Sequence, residues 1–266
     1  MKKYIISIFF LFFIYNLQSQ VLIALLLGDK LNNGKMEFGL DGGLNFSSIS
    51  GLEANKWKRD FNLGFYFDIK IKNKWYFNTG VLVKSSLGVN NLSEADLNEI
   101  RTNLEITQQG DYTQKISYFL VPTLAKYRFK NHVYLEVGPQ FGLMHKAWLE
   151  HNFDDIDGNE NRIKEENKDA VNRMEVGAVA GIGYRLLKGL GWSIGARYHY
   201  GLTNVYKNIS SIKNHALFLK LNIPIGVSES KKEEIKDVKD QNHTEREKKR
   251  NILKPKQTKL KLIFIQ

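Results

Sequence analysis

From about residue 36 onward, apolar and polar side chains alternate with a period of two. That period places successive side chains on opposite faces of an extended strand. The clearest stretch sets Phe61, Leu63, Phe65, Phe67, Ile69 and Ile71 on one face and Asn62, Gly64, Tyr66, Asp68 and Lys70 on the other. Residues 75 to 83 repeat the pattern with Trp75, Phe77, Thr79, Val81 and Val83, as do 133 to 143 with Val133, Leu135, Val137, Pro139, Phe141 and Leu143. Weaker alternation at roughly 36 to 48, 113 to 129, 171 to 187, 190 to 206 and 212 to 227 completes eight predicted strands.

The connections alternate in length. Short turns fall at 72 to 74, Lys130-Asn131 and Lys188-Gly189, and long loops at about 49 to 58, 90 to 112, 150 to 170 and 206 to 212. Tight turns at one end and loops at the other predict an all-β fold, an eight-stranded up-and-down antiparallel barrel with both chain ends on the short-turn side. Such a barrel is either soluble, with an apolar interior, or transmembrane, with the apolar face outward. Strands running past ten residues, and aromatic rings near the ends of the apolar rows at Phe61 and Trp75, Tyr127 and Phe129, and Trp192 and Tyr198, favour the transmembrane form.

That choice predicts an inward or rim-facing set of ionisable groups: Glu37, Asp41, Asp68, Lys70, Lys84, Glu136, Arg173, Glu175, Arg185, Arg197 and Lys220. Charges in so narrow a lumen must pair. Glycines 39, 43, 64, 80, 138, 142, 177, 181, 183 and 195 on the same face are expected to leave room for the long side chains. Asp is then expected to be tolerated at Gly64 or Asn78 and to block insertion at Phe65 or Val81. An interior of eight strands is filled by side chains, so no open diffusion pore is expected.

Composition narrows the picture further. The chain has no cysteine, which excludes disulfide frameworks and thiolate chemistry. Its 39 Lys+Arg against 28 Asp+Glu give +11, but the excess is concentrated toward the ends, so no nucleic-acid partner is expected. Met1-Lys2-Lys3, the apolar run Tyr4 to Tyr15 and Ser19 predict a secretory signal over 1–19 with cleavage after Ser19. Residues 20–227 form the predicted barrel domain. Residues 228–266 form a predicted disordered tail, dense in both charges from Lys231 to Arg250.

Tyr118-Phe119-Leu120-Val121-Pro122, Tyr134-Leu135-Glu136-Val137-Gly138-Pro139, Val179-Ala180-Gly181-Ile182-Gly183-Tyr184 and Arg197-Tyr198-His199-Tyr200-Gly201-Leu202-Thr203-Asn204 follow in order along the chain. In that order and spacing they resemble successive strands of the PorT-like outer-membrane β-barrel family. The resemblance covers about 21 to 227. It implies an eight-stranded barrel in the outer membrane of a Gram-negative cell, and the member that names the family is tied to protein export by the type IX route. Position 120 is Leu where the family often has Glu, and the last strand runs on into a tail instead of ending on an aromatic residue.

Two other chemistries have candidate residues in the chain. Asp155, Asp157, Asn159 and Glu166 have the 1, 3, 5, 12 spacing of a calcium loop, but Glu160 replaces the required Gly and no helices flank it, so no metal is expected. His145, His151, His199 and His215 with Ser85, Ser86, Ser210 or Ser211 are the candidates for a lipid-modifying barrel enzyme, yet no fixed spacing singles out a pair. The expectation is therefore a non-enzymatic barrel with a filled lumen, no cofactor, no catalytic residue and no metal ligand. It would act through extracellular loops or envelope partners, with outer-membrane lipids around it. A lipid-modifying enzyme and a soluble ligand-binding barrel are the alternatives.

Overall fold

In the computed structural model the described residues are Asn32, 35–54, 56–100, 110–154, 158–187 and 191–225. The predicted signal and charged tail lie outside them. The strands are β1 (Met36–Ser50), β2 (Lys56–Lys72), β3 (Trp75–Lys84), β4 (Ser86–Asn90), β5 (Asp111–Arg128), β6 (Val133–Asp154), β7 (Glu160–Glu166), β8 (Met174–Arg185), β9 (Ser193–Gly201) and β10 (Lys213–Pro224). One helical turn and a half, α1 (Glu94–Glu99), precedes β5. No helix among the described residues is long and apolar enough to cross a membrane.

Antiparallel pairing runs β1–β2–β3–β5–β6–β8–β9–β10, and β10 returns to β1 from Gly39↔Pro224 to Ser50↔Lys213. Eight strands therefore close into a ring. β3 and β4 are two halves of one wall strand broken at Ser85, and β7 adds to the far end of β6 outside the ring. The short turns hold Asn73 and His132 at positive φ, at one end of the barrel. The long connections, with α1 and the β6–β7 hairpin, stand at the other.

The outward row is the apolar one. Phe61, Leu63, Ile69 and Ile71 are exposed while Asn62, Gly64, Tyr66 and Asp68 between them are buried. The same alternation carries exposed Leu135, Val137, Phe141 and Leu143 along β6 and Ile182 and Tyr184 along β8. On β5 the outward run from Phe119 to Phe129 is about ten residues long, the length that crosses hydrocarbon at a barrel's tilt. Trp75, packed edge-on against Tyr127 at 4.9 Å, marks the short-turn interface. A soluble barrel requires the reverse arrangement, with the carboxylates in solvent.

Two expectations about the wall need correcting. Lys84 does not face inward. The register shifts between Leu63↔Lys84 and Gly64↔Leu82, so Val83 and Lys84 both turn outward at the bulge. Lys70 and Arg173 are exposed at the strand ends, within the rim-facing part of that set. The glycines also divide. Side chains of Tyr134 and His199 occupy the space over Gly183 and Gly177, as expected. At Gly64, in contrast, a Cβ would collide with the backbone of Val81 and Leu82, so this glycine permits close approach of two strands and leaves no room for a longer residue.

Phe65→Arg, placing a charge against mid-plane hydrocarbon, is expected to destabilise the inserted barrel by about 2–4 kcal/mol. Gly64→Asp is also expected to fail, for steric reasons. Urea titration in lipid vesicles, followed by the heat-modifiable gel shift, checks both.

Candidate functional site: the filled lumen and its crown

The inward residues form two zones. Toward the short-turn end lies a lattice of ion pairs. Asp68 accepts from Lys126 at 2.9 Å and Asn78 at 2.6 Å, and also from Arg128. Glu136 accepts from Arg197 Nε at 2.9 Å and from Lys220 at 3.5 Å, with Lys126 Nζ 3.8 Å away. Lys220 also approaches Asp41 at 3.6 Å, and Glu37 takes a two-pronged bond from Arg185 at 2.9 and 2.5 Å plus the Tyr66 hydroxyl at 2.9 Å. Each carboxylate thus meets at least one cation, which offsets the cost of enclosing both. Arg197 also donates to Asn78, joining the Asp68 and Glu136 groups.

Above this lattice, His199 lies 3.1 Å from Glu175 and 3.3 Å from Gln140, and the other Glu175 oxygen accepts from Asn214 and Thr203. Higher still the interior becomes apolar. Leu87, Val89, Ile116, Leu120 and Leu149 are fully buried with Leu97, Val171 and Tyr206 from the connections. The zone starts within the upper part of the membrane-facing band and continues above Phe119, where the outer surface meets water and the ordinary rule of apolar side chains inside returns. Leu120 sits at the lower edge of this zone at 0% exposure.

The crown is fastened by side-chain bonds. Ser93 caps α1 in a capping box with Asp96, whose carboxylate also accepts from the Glu53 and Ala54 amides at 2.7 and 3.0 Å. The first loop is thereby tied to the second. On the β5–β6–β7 sheet, Glu150 sits among Lys115 at 2.9 Å, Arg162 at 3.6 Å and Lys164 at 3.7 Å. Burial raises the Glu150 carboxyl pKa, but the hydrogen bond and charge of Lys115 outweigh it and hold the group below its usual range. His151 stacks between Tyr112 at 4.0 Å and Phe153 at 4.8 Å, and burial pushes its imidazole down.

The catalytic candidates are dispersed. His199 is enclosed in the lumen, His151 is in the crown, and His215 bonds Tyr198 at 3.1 Å and Ser50 at 2.9 Å. Ser85 donates to Asn62, Ser86 Oγ accepts from Lys58, and Ser210 and Ser211 are exposed. His145, Ser85 and Ser86 line one small cavity, but no hydrogen bond joins His145 to either serine among the described residues. Of the calcium-loop residues, Asp155 and Asp157 lie outside the described residues, while Glu160 and Glu166 bound strand β7 of a β-hairpin. Lys126 and Arg128 were missed as lumen residues, although the outward row Phe119, Val121, Thr123, Ala125, Tyr127 implies that even-numbered positions point inward.

A closed ring of eight strands, apolar outside and ionised within, defines an outer-membrane β-barrel. Residues 18–207 match the family described as outer membrane protein beta-barrel domain, and the chain belongs to it. Among solved structures it is similar to Ail, the attachment invasion locus protein of Yersinia pestis, at 13% identity over 72% of this chain and 99% of that one, with a TM-score of 0.37. It is also similar to OprG from Pseudomonas aeruginosa, at 12% identity over 71% and 93% of the chains, with a TM-score of 0.32. Neisserial surface protein A is a third, at 12% identity over 71% and 96%, with a TM-score of 0.34. No curated protein matches the chain significantly.

Glu136→Ala strands Arg197 and Lys220 without their carboxylate and is expected to cost about 3–5 kcal/mol in vesicle unfolding experiments. Because the folded Glu150 pKa is depressed, its contribution is present above the ordinary carboxylate value and disappears as pH falls through the lower folded value. The protection of β7 amides, taken relative to their intrinsic exchange rates at each pH, is therefore expected to fall on that acidification, and to be insensitive to it in Glu150→Gln.

Proposed function

We propose that this protein is a PorT-like, non-enzymatic outer-membrane barrel whose lumen is a rigid filling and whose crown docks envelope proteins, in connection with protein secretion. On this reading the signal over 1–19 is removed after Ser19 and the barrel inserts with the crown outside the cell. The observation that carries it is the filled interior. Ion pairs centred on Asp68 and Glu136 occupy the lower lumen and Leu87, Leu120 and Tyr206 the upper, so side chains fill both zones of the described interior. The link to secretion is supported by the ordered motifs at 118–122, 134–139, 179–184 and 197–204.

The crown is suited to docking because it is built beyond what closing the barrel requires. β6 extends to Asp154 and β7 pairs with it from Trp148↔Glu166 to Asp154↔Glu160. Ile163 lies exposed on β7.

Purified barrel reconstituted in planar bilayers is expected to give no stepwise conductance. In cells, replacing residues 153–162 with a tight turn is expected to abolish mild cross-links to envelope proteins and to lower export of secreted cargo, while the heat-modifiable fold persists. Conductance steps, or undiminished cross-linking and export, would overturn this reading.

A further inference from the structure

The wall opens at one place. β2 pairs with β3 as far as Leu63↔Lys84, and with β4 at Lys56↔Asn90 and Trp57↔Val89, so residues 58–62 face the Ser85 break without a continuous ladder. β4 is drawn inward there. Asn45 Nδ2 donates to the Ser86 carbonyl at 2.9 Å and Ser47 Oγ to the Gly88 carbonyl at 3.0 Å, both from the inner face of β1. The result is a notch of about 250 Å³ in the outer surface, between β2 on one side and β5 and β6 on the other, with Ser85 and Ser86 lining it.

Its chemistry is that of an anion receptor set beside grease. Lys84 and Lys115 line it, and Lys58 donates to Ser86 from behind at 3.1 Å. Asp60, the one carboxylate among the described lining residues, is engaged with Lys58 at 2.7 Å. Lys115 bonds Glu150, which adjoins the notch. Lys84 has no carboxylate partner among the described residues and lies 5.7 Å over the Phe61 ring. His145, another lining residue, stacks on Phe119 at 4.5 Å and its Nδ1 is buried without a hydrogen-bond partner.

The level of the notch selects the occupant. Phe61 and Val83 at its lower edge, with Phe119 behind His145, are the top of the exposed apolar band, and Lys115 and Trp148 stand above. A molecule resting there meets hydrocarbon below and ammonium groups above. We propose that the notch binds the phosphorylated headgroup of an outer-leaflet lipid, its phosphate between Lys84 and Lys115 and its acyl chains along Phe61 and Val83. A pocket of basic side chains at an interface is the usual means of holding such a headgroup. The proposal rests on the membrane orientation of the barrel and is independent of what the crown docks.

The test uses the full-length barrel in phosphatidylcholine nanodiscs doped with phosphatidic acid, with bound lipid counted by native mass spectrometry. The wild-type protein is expected to retain phosphatidic acid in preference to phosphatidylcholine, and excess inorganic phosphate is expected not to displace it. Lys84→Ala with Lys115→Ala is expected to reduce retention roughly tenfold, while Lys70→Ala at the opposite rim leaves it unchanged. Lys84→Ala alone, at an exposed side chain, keeps the test valid if the double variant folds poorly. Equal retention by wild type and both notch variants, equal loss in Lys70→Ala, or displacement by free phosphate would overturn the proposal.

Discussion

In hydrocarbon every backbone N–H and C=O must find a partner within the protein, and β1 meeting β10 is what satisfies this condition here. With the ring closed at eight strands the diameter is fixed, and the lumen becomes too narrow to hold bulk water around each charge. The inward ionisable groups are therefore forced into contact. Asp68 collects Lys126, Arg128 and Asn78, Glu136 collects Arg197 and Lys220, and Glu37 collects Arg185 and Tyr66. The bonds of Lys126, Arg128, Arg197, Lys220 and Arg185 run across the barrel between strands that are not neighbours, so the lattice braces the wall from inside as the sheet braces it from outside.

The two-zone interior follows from the same boundary. Where lipid surrounds the wall, apolar residues gain nothing by turning inward and polar groups must hide. Above the lipid, water surrounds the wall and the preference reverses. On β5 the inward positions are Lys126 and Arg128 low down, then Leu124 and Leu120 still within the outward run from Phe119 to Phe129, then Tyr118 and Ile116 above it, so the polar filling gives way to apolar packing before the lipid ends. α1 and the loop residues Val171 and Tyr206 complete the apolar part from above.

How legible this was depended on whether a segment faces lipid. The row from Phe61 to Ile71 was plain in the sequence because hydrocarbon on one side and packed polar groups on the other enforce strict alternation. The apolar plug was not, since Leu97 comes from a connection with no periodic signal, and Val171 and Tyr206 stand at the outer ends of the weakly alternating stretches 171 to 187 and 190 to 206, beyond β8 and β9, where they pair as an isolated bridge. The far half of β6 and all of β7 read as an acidic loop for a related reason. Outside the membrane a hairpin can be held by cross-strand charges such as Glu150 with Arg162 and Lys164, and these leave no apolar pattern. Lys84 was misplaced because one extra residue at a bulge reverses every later side chain, and composition does not reveal where that residue falls.

The broken ladder beside Ser85 also fixes where the membrane must end. Backbone left unpaired in hydrocarbon costs several kcal/mol per group, so the interval between Leu63↔Lys84 and Trp57↔Val89 has to lie at or above the lipid headgroups. The side chains agree with that placement. Below the interval the outward residues of β2 are Leu63, Phe65, Phe67 and Ile69, within it they are Phe61 and Arg59, and above it Trp57 and Lys56. Lys58 takes over some of the lost strand contact by reaching Ser86, and Ser85 does the same through Asn62. A wall that must be continuous in lipid is thus free to part just above it, and the parting opens a notch lined by Lys84, Lys115, Ser85 and Ser86 at the depth where lipid headgroups lie.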